Sequence, residues 1–263
     1  MSERQSYKHG EFSWVDLMAR DLSAAKGFYA AYFGWTPEDQ NTQGGPPYVI
    51  FKKNGKGVAG AGQMPPDMME QGIPAVWNSY INVDDLDATL KKAEELGGAV
   101  TMPAMQVMDA GRMAGIQDPT GAQVFLWQKG THFGAELVNE THCFGWNELA
   151  TRDIEVAMKF FGALFGWEYE TTENPMTRYE MIQLAGRGNG GMIQMTEQWG
   201  DIPPNWIVYF TVEDINAATE KLASLGGTVH VPPFVAGEVG QISVVADPQD
   251  AVFSVIQMFA EPE

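Results

Sequence analysis

Cysteine is nearly absent from this chain: Cys143 stands alone among 263 residues. One thiol can neither close an intramolecular disulfide nor build a thiolate-rich metal site, so the cross-linked framework of small secreted domains is excluded. Basic residues are also scarce, 16 Lys and Arg against 34 Asp and Glu, for a formal net charge of −18. A surface of that sign repels phosphate, which argues against nucleic acid and anionic membranes as partners. No run approaches the roughly 20 consecutive apolar residues of a membrane-spanning helix. Residues 1–11 are polar and lack the apolar stretch of a secretory leader, so a cytoplasmic protein is expected. No Ser-His-Asp or Cys-His arrangement with supporting context occurs. Glycines 57, 60 and 62, and again 188, 190 and 191, lack the Lys-Ser/Thr ending of a phosphate loop and suit a tightly curved strand instead.

What is present is a large apolar complement, 44% hydrophobic with 14 Phe, 8 Trp and 15 Met, enough for sizeable cores in two domains. The chain also repeats itself. Residues 20–35, from Arg20 to Trp35, align with residues 152–167 at an offset of 132, with eight of the sixteen positions identical. Leu96-Gly97-Gly98 returns as Leu225-Gly226-Gly227, and Asp118-Pro119 as Asp247-Pro248, both at an offset of 129. Order and spacing hold over about 120 residues per copy, so the chain is read as a tandem duplication: residues 1–130, residues 140–263, and a linker at 131–139.

Each copy carries the same sequence of periodicities. Residues 12–19 and 144–151 alternate as strands. Asp21 and Asp153 follow in helix N-cap positions, and Gly34 and Gly166 close those helices. Strands at 48–52 and 58–64 flank the Asn54-Gly55 turn, with counterparts at 179–184 and 191–196. The pattern then restarts, with strands at 77–83 and 206–212 and with Asp85 and Asp214 as caps. Leu86, Leu90, Ala93 and Leu96 form an apolar helical stripe, and the last strands fall at 123–128 and 252–257. The fold class is α+β, with four β-α-β-β-β modules.

These modules, the Arg-Asp…Phe-Tyr…Phe-Gly-Trp opening, Val83-Asp84-Asp85-Leu86…Leu96-Gly97-Gly98 and the Asp118-Pro119-Thr120-Gly121 turn resemble the vicinal oxygen chelate superfamily. That superfamily includes glyoxalases, extradiol dioxygenases and bleomycin-resistance proteins. The runs Trp14-Val15-Asp16-Leu17, Asp109-Ala110-Gly111-Arg112-Met113 and Trp146-Asn147-Glu148-Leu149 are similar to a two-domain glyoxalase-like subgroup typified by a culture-filtrate antigen and often labelled hydroxylases. The resemblance implies tandem glyoxalase-like domains whose curved mixed sheets form cups. In metal-using members, His or Glu side chains in the cup hold a divalent ion. Here the corresponding positions fall on Trp14, Asn78 and Phe125, and on Trp146, Ile207 and Ser254. The remaining strand, between Gly55 and Met64 or Gly186 and Met195, has no Asp, Glu or His. The expectation is therefore no metal and no cofactor. His9, His132, His142 and His230 are read as surface or loop residues.

Alternation places Trp14 with Asp16, and Trp146 with Glu148, on one strand face each. Facing the cup, such an acid beside an indole has a raised pKa and can serve as catalytic acid or base. Otherwise it bonds a neighbouring backbone or pairs with Arg20 or Arg152. Further ligand-binding candidates are Gln63 and Gln194, which recur at matching positions, Asn78, Phe125, and Arg112 at the cup mouth. The leading reading is a metal-free protein, monomer or homodimer, that encloses a small organic molecule in aromatic-lined cups, by sequestration or by carboxylate acid–base chemistry. The alternatives are a metal-dependent lyase or dioxygenase with atypical ligands, and a structural protein whose cups are filled by its own side chains.

Overall fold

A computed structural model describes residues 2–172 and 177–259. The first half runs β1 (Phe12–Ala19), α1 (Leu22–Phe33), β2 (Thr36–Asp39), β3 (Tyr48–Lys53), β4 (Lys56–Gln63), α2 (Pro66–Glu70), β5 (Val76–Asn82), α3 (Leu86–Glu95), β6 (Ala99–Val107), β7 (Gly111–Gln117) and β8 (Gln123–Lys129). The second half runs β9 (Phe144–Thr151), α4 (Ile154–Phe165), β10 (Glu168–Thr172), β11 (Tyr179–Leu184), β12 (Arg187–Gln194), a short 3₁₀ turn (Glu197–Trp199), β13 (Asn205–Thr211), α5 (Ile215–Ser224), β14 (Thr228–Ala236), β15 (Gly240–Ala246) and β16 (Val252–Met258). The strands form two eight-stranded mixed sheets, in the order β2-β3-β4-β1-β5-β8-β7-β6 and β10-β11-β12-β9-β13-β16-β15-β14. Modules therefore pair within each half, through the antiparallel contacts β1–β5 and β9–β13.

The four long helices start by one shared device. Asp21, Asp85, Asp153 and Asp214 each accept a hydrogen bond from a backbone N–H in the first turn. A glutamine at the end of each module's last strand takes the next free donor. Gln63, Gln128, Gln194 and Gln257 accept from the N–H of Leu22, Leu86, Ile154 and Ile215, at 2.9–3.2 Å. A helix start leaves four N–H groups without intrahelical partners, and this pairing of Asp and Gln satisfies two of them while fixing the helix to its sheet. Gly34 and Gly166 close α1 and α4 in the left-handed region, at φ 74° and 73°.

The helix-bearing faces of the two sheets meet each other. Tyr29, Phe33, Trp35 and Trp77 from the first half share a core with Phe210 and Phe253 from the second. Ile81, Leu86, Ala114 and Leu126 share another with Phe161, Phe165 and Trp167. The exchange is reciprocal: Trp35 donates its indole N–H to the carbonyl of His142, and Trp167 donates to that of Gly10, at 2.8 and 2.9 Å. Residues 131–139 are no loose tether. Ala135, Leu137 and Val138 are buried, and Ala135 N–H bonds to the Ser13 carbonyl at 2.8 Å.

Strands β2 and β10 escaped the reading of the sequence because they are short, polar edge strands with exposed residues, which leave no alternation to detect. Helix α2 likewise has no apolar stripe. Strand β12 begins at Arg187, four residues earlier than the sequence predicts.

Candidate functional site

The cup faces lie opposite the helices, and pairing register identifies what lines them. Side chains at laterally paired positions point to the same side of a sheet. Asp16 pairs with Gly60 and Asn78, and Trp14 with Tyr80. Tyr80 pairs with Phe125, and its ring stacks on that of Phe125 at 5.1 Å. In the second sheet Glu148 pairs with Gly191 and Ile207, Trp146 with Tyr209, and Tyr209 with Ser254. Each Trp shares a face with its acid, as alternation predicts, and that face is the cup.

Each acid is enclosed by tyrosines. Tyr48 and Tyr80 donate to Asp16 Oδ2 at 3.2 and 3.0 Å, and Asn78 donates to Oδ1 at 3.0 Å. Trp14 Nε1–H donates to the Tyr48 hydroxyl at 3.0 Å. An indole can only donate, so Tyr48 accepts from Trp14 and keeps its own proton for Asp16. The second cup repeats the wiring: Trp146 donates to the Tyr179 hydroxyl at 2.9 Å, and Tyr209 donates to Glu148 Oε1 at 2.8 Å. The Tyr179 hydroxyl stands beside Glu148 and favours its ionised form.

Glycine makes this possible at two positions. A Cβ on Gly60 would collide with the Tyr48 hydroxyl, and one on Gly191 with that of Tyr179. The rings lie across β4 and β12 only because those residues have no side chain.

Both acids are buried, and neither has an Arg or Lys partner among the described residues. Burial without a countercharge disfavours the ionised form. It raises the pKa of Asp16, against the opposing pull of its hydrogen bonds, and pushes that of Glu148 up to about 7. Burial, reinforced by the neighbouring acid, also holds Tyr48, Tyr80, Tyr179 and Tyr209 well above the usual phenol range.

Several expected site residues lie elsewhere. Gln63 and Gln194 sit beside Ala19 and Thr151, on the helix face, where both amide ends are spent on the starts of α1 and α4. Arg112 is not at the cup mouth; it forms a two-pronged ion pair with Asp87 of α3, at 2.8 and 2.9 Å. Arg152 donates to the Gly200 and Ile202 carbonyls rather than to Glu148. His132 lies in the loop between β8 and β9, as expected, but packs against the first cup. Its ring stands edge-on to Trp14 at 4.6 Å, and its carbonyl accepts from Trp127 Nε1 at 2.9 Å.

The tyrosines were missed, although they are visible as repeats: Tyr48 and Tyr179 recur at an offset of 131, Tyr80 and Tyr209 at 129. A Tyr followed twelve residues later by Gly, in both halves, is the signal that would have found them.

The fold family implies a divalent ion in the cup, and the donors here do not suit one. Among the described residues, the carboxylate at the centre of each cup has phenols held in their protonated form beside it. Among the described residues no group of three or more His, Cys, Asp or Glu side chains converges, where three to six such donors are normal.

Tandem β-α-β-β-β modules paired into two cupped sheets define the class. The model of the Glyoxalase/Bleomycin resistance protein/Dioxygenase superfamily matches residues 11–126 and again 141–255, and the chain belongs to that superfamily. It is 42% identical over 258 residues to "Putative glyoxylase CFP32" of Mycobacterium bovis, covering 98% of each chain. It is 33% identical to the "Anthracycline biosynthesis protein DnrV" of Streptomyces peucetius, covering 95% of this chain and 94% of that one. Among solved structures, the Mn(II)-bound glyoxalase from Novosphingobium aromaticivorans superposes with a TM-score of 0.65 at 16% identity, over 100% of this chain and 85% of that one. The 2,3-dioxygenase LapB from Pseudomonas sp. KL28 gives 0.64 at 16% identity, over 98% and 96%. At such identities the likeness is one of fold.

Proposed function

We propose that this protein encloses a small, partly apolar organic molecule in an aromatic-lined cup and exchanges a proton with it through a buried carboxyl group, without a metal. The observation that carries this reading is Glu148: buried, with no cationic partner among the described residues, bonded by Tyr209 with Tyr179 beside it, and poised near neutrality. Below about 7 it holds a proton that it can donate to a ligand carbonyl oxygen; above, it can accept one from a phenol or enol. The surrounding phenols stay protonated and stabilise the ionised form as donors. The net charge of −18 favours a neutral ligand over an anionic one. The name of the DnrV relative adds a chemical direction, since anthracyclines are built on a hydroxylated anthraquinone.

The test uses protein dialysed against EDTA and titrated with 1,4-dihydroxyanthraquinone, followed by the ligand's visible absorbance. Saturable binding that changes strength across pH 6–8, and that added Mn(II), Zn(II) or Ni(II) leaves unaltered, is the expected result. Binding that requires an added ion, or no binding at all, contradicts the reading.

A further inference from the structure

The two cups share a cluster, yet they differ in what surrounds it. In the first cup Asp16 receives three donors, from Tyr48, Tyr80 and Asn78. In the second, Ile207 stands where Asn78 does, and Glu148 receives one, from Tyr209, with the Tyr179 hydroxyl beside it. Phe125 and Trp127 fill the first cup from β8; the positions 129 residues on are Ser254 and Ile256, so the second cup loses an indole and a phenyl ring. The His132 ring presses on Trp14 at 4.6 Å, and Glu136 Oε2 clamps the same segment to the Gly57 N–H at 2.6 Å. Trp14 is consequently 4% exposed, whereas Trp146 is only half-buried.

Ser254 is the second, independent sign. Its hydroxyl is buried beside Tyr209 and has no hydrogen-bond partner of good geometry. A buried hydroxyl left alone is costly, about 1–3 kcal/mol, and a ligand oxygen in the cup would remove that cost. Resting on the reading that the protein encloses a small organic molecule, we propose that the second cup alone binds it, and that the first is closed by its own side chains. Its occupant is a neutral, planar hydroxylated aromatic: ring against the half-buried Trp146 and Ile207, and one oxygen toward Ser254 and Glu148.

The experiment compares binding of 1,4-dihydroxyanthraquinone with that of 9,10-anthraquinone, which lacks the hydroxyls, across four proteins: the full chain and its Glu148→Gln, Ser254→Ala and Tyr48→Phe variants. Melting temperatures report whether each variant folds. The expected result is one site per chain, preference for the hydroxylated probe, and affinity lost by about tenfold or more in Glu148→Gln and Ser254→Ala. Tyr48→Phe binds as the full chain does. The double variant Ser254→Phe/Ile256→Trp, which copies the first cup's filling, abolishes binding. Two sites per chain, or loss of binding in Tyr48→Phe without loss in Ser254→Ala, overturns the assignment to the second cup while leaving the enclosing function standing. Failure of the full chain to bind either probe overturns both.

Discussion

At the scale of the residue, Glu148 links the cup to pH. Folded, it keeps its proton up to about 7, whereas an ordinary glutamate ionises near 4.5. Between those values the folded state binds the extra proton, so the contribution of Glu148 to stability is fully present below about 4.5 and is lost as pH rises toward 7, by roughly 3 kcal/mol. Glu148→Gln keeps an oxygen for Tyr209 and removes the titration. Its melting temperature is expected to be flatter than that of the unaltered protein across pH 4.5–7; parallel curves would mean that Glu148 ionises normally. Asp16 has a structural part to play. Asp16→Asn replaces one of the two accepting oxygens by an NH2 group that can only donate, so it meets either the hydroxyls of Tyr48 and Tyr80 or the amide N–H of Asn78 donor to donor, and should cost about 1.5–3 kcal/mol in denaturant unfolding. An unchanged midpoint would contradict that. The acids and tryptophans were legible because strand alternation ties them to one face. Their tyrosine partners come from strands 32 and 64 residues further on, a distance that periodicity cannot bridge.

At the scale of the element, the caps show where local sequence rules succeed and where they stop. The four aspartates announce their helices by position. The four glutamines that complete those caps are distant in sequence, 41 residues from Leu22 in the case of Gln63, so Gln63 and Gln194 read as ligand groups until the sheet register turns them to the helix side. Gln194→Ala should destabilise the protein by about 1 kcal/mol, the usual worth of a cap, with ligand affinity unaltered. The glycines of β4 and β12 suit a curved strand. Their sharper requirement is the tyrosine hydroxyl above Gly60 and Gly191. Gly191→Ala must displace Tyr179, and with it the bond to Trp146. Calorimetry should show a loss of about 1–3 kcal/mol.

At the scale of the whole molecule, duplication has produced one unit with two divergent cups. Each half buries aromatics of the other, Trp35 and Trp167 reach across reciprocally, and Tyr29 donates to Asp247 at 2.9 Å from the opposite half. A fragment of residues 1–139 would expose the face that Phe210 and Phe253 cover. It is expected to bind hydrophobic dyes and to melt without a cooperative transition; a sharp transition would show that the halves fold independently. The duplication follows from repeat spacing, and the two cups from the family resemblance. The inequality of the cups does not, because it depends on which residues meet across a sheet.

The central claim is that the Trp–Tyr–carboxylate clusters of the cups hold no metal. Elemental analysis of the full chain, purified from medium supplemented with manganese, iron, nickel and zinc and then dialysed, tests it most directly. Far less than one equivalent of any of these metals per chain is the predicted result, and about one equivalent of a single metal would contradict it.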